Sequence, residues 1–128
     1  MFIGIFLKEL ENMSDFSKIK ENRTFSYIYR RGKSFVHPYL VTYCVKKKSG
    51  GIRLGITTSK KIGNAVVRSR ARRVITAAFR SAVKDIEGNY DFVLVARSIT
   101  ANQKSYNVEK VLRAQLTKAG ILQGTENE

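Results

Sequence analysis

Apolar positions recur at two different periods along this chain, and the changes of period mark its elements. In residues 22–31 (NRTFSYIYRR), Phe25, Ile28 and Tyr29 fall on one helical face and Gly32 follows as a C-cap, which predicts a short first helix. Residues 41–45 and 52–58 are rich in β-branched and aromatic side chains. The KKKSGG between them (46–51) ends in the turn-forming pair Gly50-Gly51, so the two runs read as a hairpin. Asn64 caps a long helix reaching about Ile86, with Val67, Ala71, Val74, Ala78 and Ala82 along its inward stripe. The Gly88-Asn89 turn leads into residues 90–97 (YDFVLVAR), apolar enough for a central strand. A last helix over 107–119 turns Val108, Val111, Leu112, Gln115 and Leu116 inward and stops at Gly120. With a further short strand near Phe35-Val36, the order α-β-β-(β)-α-β-α predicts an α+β fold, a small sandwich of helices on a sheet.

The 128 residues, 43% of them hydrophobic, suffice for one domain, which the pattern places at 22–122. Residues 1–21 are expected to be a peripheral or partly disordered extension and 123–128 a tail. The apolar MFIGIFL at 1–7 lacks a basic flank before it and is interrupted by Lys8-Glu9, so it is too short for a signal segment or a membrane span; Met13-Ser14-Asp15 would make an equally good beginning. A single cysteine, Cys44, with no Cys/His cluster around it, points to a reduced compartment, the cytoplasm, and away from zinc.

Charge changes the picture most. The net charge is +14, and its distribution is uneven: residues 22–84 hold sixteen of the twenty-four Lys and Arg and none of the ten acids. A like-charged block is usually a disordered tail, but this one is interleaved with Phe25, Tyr27, Tyr29, Phe35, Tyr39, Tyr43, Val66, Val74 and Ile75, a pattern that folds. Residues 60–80 (KKIGNAVVRSRARRVITAAFR) carry seven cations and no acid. At about 100° per residue, Arg68 and Arg72 lie one turn apart on one flank of the helix, Arg70 lies on the other, and Arg73 and Arg80 project from the outer face. With no acid on the helix, the guanidinium forks are free for bidentate phosphate contacts, and Lys60 and Lys61 precede a helix N-terminus that also favours phosphate. A solvated basic face is the commoner fate of a charge run; seven unbalanced cations on a helix anchored by a core stripe favour a polyanionic partner instead.

Residues 59–80 resemble the signature of the protein subunit of bacterial ribonuclease P, approximately SKKxGNAVxRNRxKRxxREAFR. The similarity continues into FSYIYRRG (25–32), YLVTYCV (39–45), RLGIT (53–57) and the strand ending in Arg97. The resemblance implies a fold like the second domain of ribosomal protein S5, with a left-handed βαβ crossover around the long helix, against the usual right-handed rule. It further implies that the protein binds ribonuclease P RNA and helps it remove the 5′ leader of precursor tRNA. Mg²⁺ held by the RNA performs the hydrolysis, and the protein alone carries no cofactor and is inert. Carried position by position, Lys60, Lys61, Asn64, Arg68, Ser69, Arg70, Arg72 and Arg73 match the motif that contacts the RNA subunit. Phe25, Tyr29 and Tyr43 match aromatic positions of a cleft for the leader. Phe25 fits packing or stacking alike, whereas Tyr39, Tyr27 and Phe79 are assigned to packing or surface. Two positions depart from the signature: Ser69 stands where it has Asn, and Thr76 where it has Arg.

Other chemistry finds little support. His37 is the sole histidine and precedes Pro38, which suits a turn or the surface. Asp85, Glu87 and Asp91 flank a Gly-Asn turn and are expected to cap and solvate, so neither a protein-borne two-metal site nor a small-molecule substrate is indicated. The rival functions are a ribosomal or other structural RNA-binding protein without a role in cleavage, and a DNA-binding protein. The latter is disfavoured because the helix commits one face to its own core and no dimerisation heptads accompany it.

Overall fold

The computed structural model describes residues 15–123; its helices form where the apolar spacing places them, while its strands pair in a different order. Strands β1 (Ser17–Lys18), β2 (Lys33–His37), β3 (Leu40–Lys46), β4 (Ile52–Thr57) and β5 (Tyr90–Ala96) make one sheet in the order β1-β4-β5-β3-β2. Helix α1 (Asn22–Arg31) packs on one face; α2 (Ala65–Ala82) and α3 (Ser105–Lys118) cover the other, as the expected α+β sandwich requires.

The expected hairpin of β3 with β4 does not form. Strand β5 lies between them, antiparallel to β3 and parallel to β4, so that Phe92 is the partner of both Cys44 and Leu54. Neighbours in sequence usually pair, but Phe92, Val93 and Leu94 are all fully buried, pointing alternately to the two faces. A strand of that composition gains most from the central slot, where both faces are covered. The residues read as a hairpin turn do turn, with Gly50 and Gly51 at φ 96° and 72°. They bridge the entry of β5 instead of closing a pair: the Lys47 amide donates to the Asn89 carbonyl (2.9 Å), Gly51 to Asn89 Oδ1 (2.8 Å) and Tyr90 to the Gly51 carbonyl (3.1 Å). The actual hairpin is β2 with β3, in which Val36 faces Val41, and His37 Nδ1 accepts the Tyr39 amide within its turn (3.0 Å). Strands β4 and β5 are parallel neighbours joined through α2, a βαβ unit.

Both layers of the core follow from the strand period of two. Leu40, Cys44, Leu54, Phe92 and Leu94 meet Ile75 and Phe79 of α2 and Val108, Leu112 and Leu116 of α3. On α2, Ala71, Ala78 and Ala82 are buried as expected, whereas Val67 and Val74 are only half-buried and Ile75 and Phe79 fill the interior. The helix ends at Ala82 and continues as a 3-10 turn over Val83–Asp85. Gln115 is buried, and each of its polar atoms is engaged: Nε2 donates to the Phe35 and Leu40 carbonyls (3.0 Å each), and Oε1 accepts from Thr42 Oγ1 (2.6 Å). The opposite face is thinner, with Ile19, Ile28 and Val93 at its centre. Gly32 ends α1 in extended backbone (φ −78°), not as a left-handed cap. A Cβ there would stand 2.6 Å from the Ile28 carbonyl oxygen and 3.0 Å from that of Cys44, so glycine serves the close approach of helix to β3.

The domain begins before residue 22. Phe16 packs edge-on against Phe79 (centroids 5.0 Å apart), β1 pairs in parallel with Arg53 and Leu54, and Ile19 is buried, so 15–21 are part of the fold and not a peripheral extension. Their two apolar residues three apart are too short a signal to read from periodicity. Residues 1–14, with the MFIGIFL run and Met13, and 124–128 of the tail lie outside the described residues. Among the described residues no helix is long and apolar enough to cross a membrane.

Candidate nucleic-acid interface

Among the described residues no ion pair involves α2. Asp91 accepts from Arg53 through two bonds (2.8 and 2.7 Å) and from Lys47 (2.8 Å); Arg113 binds Asp85 (2.7 Å) and Glu109 (2.8 Å); Arg23 binds Glu21 (2.9 Å). None of Lys60, Lys61, Arg68, Arg70, Arg72, Arg73 and Arg80 enters an ion pair among the described residues. Asp91, expected to cap and solvate at its turn, is instead buried. Burial alone would raise its pKa, but the hydrogen bonds and charges of Arg53 and Lys47 outweigh it and hold the carboxyl below the ordinary carboxylate range.

Neutral acceptors position the arginines. Asn64 caps α2 by accepting the Val67 amide at Oδ1 (3.0 Å), so its side chain shapes the helix start. Lys60–Ile62 form a 3-10 turn, and Gly63 follows at φ 146°, with its space limited by Val67 (2.8 Å from an added Cβ). Arg68 Nη1 donates to the Gly63 carbonyl (3.0 Å), Arg72 Nη1 to the Ile56 carbonyl (3.2 Å) and Arg73 Nη1 to Ser69 Oγ (3.2 Å). These bonds fix direction without cancelling charge. Lys60, Arg68, Ser69 and Arg72 line a cavity of about 440 Å³ at the helix start; Lys61 and Arg70 are exposed outside it. Arg73 and Arg80, expected to stand apart on the outer face, line the same groove as Arg72. Ser69 keeps one useful function of the Asn it replaces, since its hydroxyl aims Arg73. Ser69→Ala is expected to weaken RNA binding about twofold, the cost of ordering one free side chain, with an unchanged salt dependence in a filter-binding titration.

On the thinner face α1 packs over the sheet through Ile28 and Phe25, against Val93. Tyr29 and Tyr43 meet edge to face (4.9 Å, 86°), and Tyr29 OH shares a hydrogen bond with Thr57 Oγ1 (2.7 Å). The cross-strand row Tyr43–Val93–Gly55 lies beneath α1, and its glycine admits the Phe25 ring: a Cβ on Gly55 would lie 2.5 Å from Phe25 Cε1. The structure therefore joins Tyr29 to Tyr43 and sets Phe25 apart, half-buried at the β4 edge. Tyr27 is exposed on the far side of α1 near Arg30, Tyr39 is half-buried and Phe79 is core. Sequence reasoning missed Thr57, although the period of two aligns it with Gly55 and Arg53. It also missed Phe16 and Lys18, which lay in the segment set aside as peripheral.

A small basic α+β domain whose arginine-rich helix enters no ion pair among the described residues has the character of an RNA-binding protein. The comparisons agree. The family model described as Ribonuclease P matches residues 13–120. The chain is 39% identical over 116 residues to the ribonuclease P protein component of Clostridium beijerinckii, covering 85% of this chain and 93% of that one. With the Clostridium botulinum component it shares 41% over 107 residues, covering 82% and 96%. Its fold is similar to that of the RNase P protein of Staphylococcus aureus (TM-score 0.71, 31% identity, covering 83% and 97%) and of Thermotoga maritima (0.69, 25%, covering 80% and 96%). The chain belongs to the ribonuclease P protein family, the protein subunit of the ribonucleoprotein endoribonuclease that matures tRNA 5′ ends.

Proposed function

We propose that the start and exposed flanks of α2 hold the backbone of ribonuclease P RNA while the Tyr29–Tyr43 pair receives the 5′ leader of precursor tRNA. The observation that carries the first part is the absence, among the described residues, of any acid partner for the seven cations from Lys60 to Arg80. Arginines already aimed by backbone and hydroxyl acceptors lose little freedom on meeting phosphate. The second part rests on ring faces that stack on unpaired bases without demanding sequence, at ~1–3 kcal/mol per base. Tyr29, 38% exposed, is steadied by Thr57 and by Tyr43, so the platform exists before the strand arrives. Mg²⁺ carried by the RNA supplies the hydrolysis; this chain's residues bind and orient. Cys44, buried and with its pKa raised by that burial, stays a thiol, as suits a cytoplasmic protein.

Cleavage of precursor tRNA by a bacterial ribonuclease P RNA at low Mg²⁺, with and without the chain, tests the reading. Stimulation is expected; a structural RNA-binding protein would bind and leave the rate unchanged. Tyr43→Ala is expected to lower the preference for precursor over mature tRNA about five- to tenfold, at the lower end of the stacking range because Tyr29 already occupies one side of the ring. Unaltered preference would remove the leader from this tyrosine pair.

A further inference from the structure

The order β1-β4-β5-β3-β2 puts β2 at the sheet edge opposite β1, and among the described residues it pairs with β3 alone. Between this strand and α3 lies a groove of about 450 Å³, lined by Phe35, Val111 and Ala114 together with the exposed Lys110 and Lys118. None of its lining residues is acidic, and none belongs to α2 or to the tyrosine pair. We propose that this groove docks an extended acidic segment of a partner protein, which adds to β2 as a further strand and sets two carboxylates on the lysines.

An edge strand offers a row of backbone donors and acceptors to another chain, and native edges are commonly blunted by a charge, a proline or a bulge. Residues 34–37 (SFVH) contain no Lys, Arg, Asp, Glu or Pro. Pairing with β3 runs unbroken from Lys33–Cys44 to His37–Leu40, so no bulge turns the edge away. Val36 stands on this strand 70% exposed, the most open of the large hydrophobic residues described. The groove is also set in advance, because Gln115 of α3 donates to the Phe35 carbonyl (3.0 Å) and ties helix to strand.

Spacing and charge select the occupant. Lys110 and Lys118 are eight residues apart on α3, which is ~12 Å at the helical rise. Four residues of a strand cover ~13 Å, and the period of two puts i, i+2 and i+4 on one face. Carboxylates at i and i+4 of the added strand therefore reach both lysines, and Ala114, midway between them, leaves room for a branched apolar side chain at i+2. Neither lysine enters an ion pair among the described residues. A second copy of this chain would set the same lysines against each other on molecules of net charge +14. RNA would answer the lysines but has no peptide backbone to pair with β2, whereas a strand-forming peptide answers both. Since β2 lies at the edge away from β4, docking there leaves the cations of α2 uncovered, and the partner can ride on the assembled ribonucleoprotein.

The probe is the peptide Thr-Glu-Thr-Ile-Thr-Glu-Thr, titrated into the full chain and followed by backbone amide NMR signals. Shifts centred on residues 34–37 and 110–118 are expected, with cross-strand NOEs between the peptide and β2. A peptide of the same composition with its glutamates adjacent is expected to bind several-fold more weakly; equal binding, or shifts centred elsewhere, would overturn the proposal. Lys110→Glu combined with Lys118→Glu is expected to weaken binding about tenfold, as two surface ion pairs become repulsions. The peptide with lysines in place of its glutamates should then restore binding, which a misfolded variant could not do, and failure of that rescue counts against the docking geometry. Two other results assign the groove to a different occupant. Loss of peptide binding on assembly with ribonuclease P RNA would give it to RNA, and a sedimenting dimer that Val36→Asp dissociates would give it to a second copy. Either overturns the proposal; a monomer that binds the peptide equally with and without the RNA supports it.

Discussion

Changing both Arg68 and Arg72 to alanine is expected to weaken binding of ribonuclease P RNA about a hundredfold, from two charge-assisted contacts of ~1.5 kcal/mol or more each. It is also expected to flatten the salt dependence. If Lys60, Lys61, Arg68, Arg70, Arg72 and Arg73 each neutralise one phosphate, log affinity falls against log salt with a slope near ~−4 to −5, and the double substitution reduces its magnitude by nearly two. Fold stability should hardly change, because the two side chains lie at the surface or half-buried and bond there only to the Gly63 and Ile56 carbonyls. Arg113→Ala is the control: its guanidinium is engaged by Asp85 and Glu109, so its loss should leave the slope where it was. A slope unchanged by the double substitution would mean that RNA docks on another surface.

Asp91→Asn should be the most destabilising single change of charge in the domain, at about 2–3 kcal/mol by urea denaturation. Removing one partner of a buried pair typically costs ~3–5 kcal/mol, and the lower figure applies because Arg53 remains 35% exposed and is screened by water. Asparagine keeps the shape and leaves Lys47 and Arg53 facing each other without an anion. The sign of the pH dependence follows from the depressed carboxyl. Asp91 stabilises fully above the ordinary carboxylate value of 3.8, and the contribution is lost as pH falls below it toward the lower value in the folded state. The wild type should therefore lose stability steeply in acid, and Asp91→Asn should show a shallower loss over the same window. Parallel curves would remove the pair from the acid transition.

Much of the fold was legible in the order of residues because helices are local objects. Their apolar period, the Asn64 cap and the Gly120 stop (φ 80°) are set within one or two turns of chain, and the three helices start within two residues of expectation, although α2 ends at Ala82, short of the expected Ile86. Gln115 was placed inward by spacing alone, although two acceptors and one donor from β2 and β3 are what make that position tolerable. The hairpin failed because Gly50-Gly51 specifies a turn and not the partner the next strand will choose. Aromatics were ambiguous for a similar reason: Phe25 packs over Gly55 and also faces a groove, a double role that depends on a glycine thirty positions away.

What the sequence by itself determined was the concentration of positive charge on one amphipathic helix, the helix starts, the apolar stripes and the kinship they reveal. The tertiary structure alone decided that β5 would separate β3 from β4, that Asp91 would take Lys47 and Arg53, and that residues 16–25, 54–56 and 69–80 would enclose one groove. The division has a physical cause. Caps, turns and periods are fixed by forces acting over a few residues, whereas strand order and the company a side chain keeps are settled by competition among distant segments for the same buried surface.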